Sequence, residues 1–320
     1  LRLQRPWSVC KSFLLLTVFL GGQVHAAQEP VMRVLVLDAK QLRFRADGDR
    51  PLLVSGLGST NKRVSTLKIR QKNGQFALAI NRSSSRWSNL SPRTELKIKS
   101  KDPRGIWLGK RRYRGELRVL IRGDRLKVVN HLGVENYLVS VVGSEMPKSW
   151  PMDALKAQAV AARTYALQQL GKKDDYDINS TEASQVYLGV EAETKRTKKA
   201  VAGTRSLVLV HKGSLINAVF HSSSGGRTEA SGSVWKKQLP YLVSVPDHDQ
   251  HSPSYNWEMQ FDPYQLEAAF AEVGGLKRVQ VISTSATGRV LLARVQGPKG
   301  EIKLTGKELR SRLGLKSTLV

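Results

Sequence analysis

Residues 134–167 read VENYLVSVVGSEMPKSWPMDALKAQAVAARTYAL, and their spacing decides the architecture. Val134, Leu138, Val141 and Val142 recur on one helical face, and Gly143 is placed to stop a short helix. Pro147 disfavours helical geometry at Met146, which puts Glu145 on a constrained corner. Ser149-Trp150-Pro151 then opens a second helix, with proline in a first turn where its missing N–H has no partner to lose. Asp153 complements the dipole at that end. The run continues through Leu167 and stops near Gly171. So many alanines permit close packing, which predicts a helix buried at the centre of a domain. A carboxyl held at the corner beside Val141, Val142, Met146 and Trp150 has its acid form favoured by desolvation, as a general acid requires. A glutamate near a helix end equally suits a capping or surface role, and the residues alone leave both readings open.

Upstream, from Val31 to about Val129, the pattern is strand-like, as in 31–37, 66–70 and 116–121, with Gly, Asn and Asp at the breaks. Residues 81–86 are a loop signal and 101–105 a turn. Downstream, strands return from Tyr176 to Pro240, notably 206–210 and 215–220, and the second feeds the glycine- and serine-rich stretch His221 to Arg227. A helix near Pro263 to Val273 and a hairpin-like pair, 279–283 with 290–295, close the chain. The pattern predicts an α+β fold: a mixed β-rich domain with a central alanine-rich helix, and Glu145 at that helix's N-terminal side.

The N-terminus carries Arg2, Arg5 and Lys11, then an apolar run 13–20, then small residues up to Ala26. This is the pattern of a secretory signal peptide over residues 1–26, and its apolar run is only about half the length a membrane span needs. It predicts an exported protein of the periplasm or cell wall. Cys10, the only cysteine, falls in that segment, which leaves no disulfide or thiolate site beyond it. The formal charge of +26 falls to +23 without Arg2, Arg5 and Lys11, and such a charge calls for an anionic partner or surface. Export favours anionic envelope polymers over nucleic acid, and no aromatic-rich RNA-binding strand or finger spacing accompanies the basic clusters at 104–114 and 195–199.

The segment 134–167 closely resembles the signature of the SpoIID/LytB family, the stage II sporulation protein D and amidase-enhancer group. Later pieces match in order: 184–189, 220–226, 240–242, 288–290 and 309–315, so that the resemblance spans roughly Tyr113 to Leu315. With the signal-peptide pattern at 1–26 and the strand-like pattern of a β-rich N-terminal region at 27–110, it implies a catalytic domain of this type at 111–320. The implied activity is lytic transglycosylation of peptidoglycan glycan strands, with Glu145 as catalyst and no cofactor. One carboxyl suffices for that chemistry, because the attacking group is the substrate's own muramic C6 hydroxyl, whereas an ordinary glycosidase needs two. The resemblance also implies that Arg163, Gln185, Tyr187, His221, Ser223 and Ser224 line a cleft that orients sugar hydroxyls or the glutamate. Taken by themselves, Arg163 also suits a buried ion pair, Tyr187 a core position and Gly225-Gly226 a tight turn.

Many relatives carry cysteines and a histidine just before the Gln-Val-Tyr element, whereas this chain has Asn179, Ser180, Thr181, Glu182, Ala183 and Ser184 there. No zinc is expected at that position. The run Asp247 to His251 offers ligand atoms but reads as a solvated loop. The rival to the enzyme is a non-catalytic amidase enhancer that binds wall and stimulates an N-acetylmuramoyl-L-alanine amidase. A third reading is a polyanion-binding envelope factor without chemistry.

Overall fold

The computed structural model describes residues 28–81, 87–235 and 237–320, so the expected signal peptide and Cys10 lie outside the described residues. Twelve strands come first: β1 (Val31–Ala39), β2 (Gln41–Arg45), β3 (Leu52–Ser55), β4 (Lys62–Val64), β5 (Thr66–Lys72), β6 (Gln75–Ile80), β7 (Ser88–Leu90), β8 (Leu96–Ser100), β9 (Ile106–Leu108), β10 (Arg111–Tyr113), β11 (Glu116–Arg122) and β12 (Arg125–Gly133). Helices α1 (Val134–Glu145) and α2 (Met152–Gln169), strand β13 (Ile178–Asn179) and helix α3 (Lys195–Ala202) follow. Beyond them lie β14 (Val210–His211), β15 (Ser214–Leu215), α4 (Ser231–Trp235), α5 (Pro263–Ala269), β16 (Arg278–Thr284), β17 (Val290–Gly297), β18 (Gly300–Thr305) and α6 (Gly306–Leu313). The fold is α+β, as the alternation of periods predicts.

Two sheets dominate. One has seven strands in the order β13-β1-β12-β11-β8-β3-β4, and the other six in the order β10-β9-β2-β5-β6-β7. Strands on both sides of residue 110 therefore share the larger sheet. Period-2 alternation aims Leu42, Phe44, Leu67 and Ile69 of the smaller sheet, and Leu96, Ile98, Leu117 and Val119 of the larger, into one continuous core. Tyr137, Leu138 and Val141 of α1 and Leu155, Ala159 and Ala162 of α2 enter the same core. A second, smaller core lies under β16–β18, where Phe270, Val273, Val290, Val295, Leu304 and Leu309 meet.

Several expectations are corrected in detail. α1 does not stop at Gly143 but runs two residues further, to Glu145. A Cβ at Gly143 would stand 2.1 Å from the carbonyl oxygen of Ala192, so the glycine serves close approach rather than termination. What ends α1 is the extended Met146, with φ −130° and ψ 146°, in front of Pro147. Pro151 is the residue before α2 rather than within its first turn, and α2 buries one face while the other remains accessible. The strands expected at 206–210 and 215–220 shrink to the two-residue ladder of β14 and β15, turned by Lys212 and Gly213 at positive φ. Leu207, Leu209 and Val219 stay exposed, because among the described residues no neighbouring strand extends the ladder. The hairpin expected near the end is present as β16 and β17, and β18 adds a third strand to it. Among the described residues no helix is long and apolar enough to cross a membrane.

Candidate active site

Glu145 is the last residue of α1, and six residues separate it from the start of α2. It sits half-buried at the predicted corner, on the helix that precedes the alanine-rich one. Its Oε1 accepts a 2.6 Å hydrogen bond from the backbone N–H of Val186. Burial raises the pKa of the carboxyl above its ordinary value, the Val186 N–H opposes that shift, and the charge of Glu182 adds to it. The net effect is a carboxyl that holds its proton more tightly than a free glutamate does. Glu182, which sequence reasoning noted only as standing where relatives carry metal ligands, is the neighbouring carboxylate that contributes repulsion.

Val186 is itself held from both sides. Gln185 is fully buried, accepts from the Tyr137 hydroxyl at 3.0 Å and donates to the Ala162 carbonyl at 3.3 Å. Tyr187 is 2% exposed, packs its ring 5.2 Å from that of Tyr137, and donates its hydroxyl to Asn130 Oδ1 at 2.8 Å. The in-out-in alternation of 185–187 thus pins two side chains in the core and presents the amide between them to Glu145. Arg163, 1% exposed, forms a two-pronged ion pair with Glu135, Nε to Oε1 and Nη2 to Oε2, both at 2.8 Å. It also donates to the carbonyls of Leu207 and Val201, which ties α1, α2 and α3 together. Arg163, Gln185 and Tyr187 therefore have no surface to offer a sugar. Their buried hydrogen bonds tie α1, α2, α3 and the 185–187 segment together around the corner.

His221, Ser223 and Ser224 are on a loop that lines a cleft of about 640 Å³ with Trp235, Tyr241 and Arg289. None of the described hydrogen bonds of Glu145 reaches them. His221 is exposed, whereas Ser224 is 5% exposed and donates its hydroxyl to Asp247 at 2.7 Å. The backbone amides of Ser224, Gly225 and Gly226 converge on the Asp249 carboxylate at 2.6, 2.9 and 2.8 Å, and the Ser223 hydroxyl joins them. Gly225 and Gly226 have φ of 74° and 96°, the left-handed backbone that turns successive N–H groups to one side. Burial pushes the Asp249 carboxyl up, but the Ser223 hydroxyl and the three amides outweigh it and hold the pKa well below the carboxylate range. Asp247 and Asp249 are thus the loop's internal anchors rather than residues of a solvated run. That pairing has no signature in the spacing, because Asp249 lies 25 residues from Ser224.

This geometry defines an α+β fold with a half-buried carboxyl of raised pKa at a helix junction. Residues 122–211 match the Stage II sporulation protein family. The chain is 31% identical over 208 residues to stage II sporulation protein D of Bacillus subtilis, covering 59% of this chain and 60% of that protein. It is 42% identical over 130 residues to the amidase enhancer of Bacillus subtilis, covering 41% of this chain and 17% of that one. An uncharacterized protein of Brachyspira hyodysenteriae is 40% identical over 144 residues, or 44% of this chain and 39% of its own. The chain thus spans at most 60% of the length of these relatives.

Proposed function

We propose that this chain is an exported lytic transglycosylase of peptidoglycan, with Glu145 as general acid and then base, in a catalytic domain running from residue 111. The reading rests on one observation: a half-buried carboxyl whose pKa is raised, with Oε1 fixed by the Val186 amide. Fixing Oε1 leaves Oε2 to carry the proton. That proton passes to the glycosidic oxygen as the bond from muramic C1 to that oxygen breaks. The C6 hydroxyl oxygen of the same muramic residue then bonds to C1, and its proton returns to the Glu145 carboxylate. The products are a 1,6-anhydro end and a free hydroxyl on the departing sugar. Water is not consumed, so no second carboxyl is required to activate it. The name of the stage II sporulation protein D relative supports a cell-wall role.

The second reading, an amidase enhancer that binds wall without cleaving it, is favoured by the relative that carries that name. The two predict different products. Protein lacking residues 1–26 is incubated with peptide-free glycan strands and the ends are analysed by mass spectrometry. Anhydro ends that disappear in Glu145→Gln support the enzyme. Their absence, together with stimulation of an added N-acetylmuramoyl-L-alanine amidase, replaces it with the enhancer.

A further inference from the structure

Residues 28–133 hold 25 Lys and Arg against 8 Asp and Glu, and the two sheets they build treat that excess in opposite ways. On the seven-stranded sheet and at its edge, bases meet acids. Arg33 pairs with Asp177 at 2.7 Å, Lys99 with Glu116 at 3.0 Å, Arg118 with Glu116 at 2.6 Å, Arg122 with Asp175 at 2.6 Å and Arg125 with Asp38 at 2.6 Å. The six-stranded sheet supplies no acid of its own: none of its strands contains an Asp or Glu, and only at its edge does Arg112 of β10 reach Asp47 and Glu191 outside the sheet, at 2.9 and 2.8 Å.

Register gathers its cations on the side away from the core. Arg43 stands directly opposite Lys68, and Arg45 is opposite Trp107 on one side and Thr66 on the other. Arg70 lies two residues beyond Lys68 on the same strand face. Among the described residues, Arg43, Arg45, Lys68 and Arg70 make no ion pair. The residues outside the description add none, since 1–27, 82–86 and 236 contain no acid. Like charges directly across a ladder destabilise a sheet, so an unneutralised Arg43–Lys68 pair is a cost that stability alone does not explain.

Two of the arginines are also held in place. The Arg45 guanidinium stacks 4.0 Å from the centroid of Trp107, and that of Arg70 lies 3.9 Å from the centroid of Trp87. Stacking orders the planar fork and leaves its N–H edges for an oxyanion. We propose that this face is a docking surface for an extended acidic glycan, a sugar chain bearing repeated carboxylates. An open sheet face suits a chain laid along it rather than a small ligand. Like-facing residues on a strand recur about every 6.8 Å, a spacing on which repeated charges along a chain can register. The guanidiniums already cover both tryptophan rings, so the stacking platform on which nucleic-acid bases depend is not offered.

The test is direct binding, made on the full chain with Glu145→Gln so that no bond cleavage enters and the proposed chemistry can fail independently. Fluorescent oligogalacturonate is the probe, with a neutral dextran oligomer and a single-stranded DNA of equal charge beside it. Arg43→Gln/Lys68→Gln is expected to weaken oligogalacturonate binding about tenfold at low salt and to flatten its salt dependence. Lys195→Gln/Lys199→Gln, on α3, changes it less than about twofold. Because the first double variant removes facing like charges, its melting temperature is expected to equal or exceed that of the parent, which separates lost binding from lost fold. Unchanged binding in Arg43→Gln/Lys68→Gln, equal binding of dextran, or tighter binding of DNA overturns the proposal.

Discussion

Glu145 and Asp249 are both carboxylates met by backbone amides, yet their proton affinities move in opposite directions. Glu145 receives one amide, from Val186, inside a largely apolar corner. Asp249 receives three amides and a hydroxyl from a turn built on two left-handed glycines. Burial penalises the charge in both, and the number of donors decides which effect wins. One donor orients a carboxyl and leaves it able to hold a proton, whereas four turn it into a permanent anion that closes a loop. The first arrangement suits proton transfer and the second suits architecture.

The contrast can be broken most forcefully at Glu145. Replacement by Gln keeps an oxygen for the Val186 amide but has no proton to give, so anhydro-end formation should fall by about 10²-fold or more. Activity retained by that variant would remove the residue from the mechanism. Next in size is Tyr187→Phe, which leaves Asn130 Oδ1 buried without its hydroxyl donor. Chemical denaturation should show a loss of about 1–3 kcal/mol. If Tyr187 steadies the Val186 amide, turnover falls while substrate affinity holds.

The pH dependence sharpens the same contrast with smaller effects. A carboxyl with a raised folded pKa favours folding while protonated, and that contribution is lost as pH rises through the folded value. Melting curves should therefore find Glu145→Gln slightly more stable than the parent at neutral pH. A carboxyl with a depressed folded pKa contributes stability above its unfolded pKa near 3.8, lost as pH falls through the folded value. Asp249→Asn should lower the melting temperature at neutral pH and reduce the difference from the parent in acid. His131 adds a separate acid-side loss, because burial, with Arg118 nearby, holds its pKa at about 4. Stability associated with it is present above the ordinary value of 6.5 and declines as pH falls towards 4, and His131→Gln should remove that limb from melting curves.

The corner at Glu145 could be seen in the sequence because its causes are local: helical spacing ahead of it, a proline two residues on, and an alanine-rich run behind. The strands of the first half were visible for a similar reason, since alternation of apolar and polar residues is a property of each strand by itself. Residues 206–220 misled because apolar, β-branched side chains favour strands only where a partner strand is available to pair with them. The resemblance grouped Gln185 and Tyr187 with the site, but their burial depends on Tyr137 and Asn130, up to 57 residues away. Asp249 read as part of a solvated loop because a nest of amides is visible only once the loop has been folded.

Gly143 places a steric stop two residues, about 3 Å along the axis, before Glu145. Any side chain there would meet the Ala192 carbonyl and push the last turn of α1, and with it the carboxyl, away from the Val186 amide.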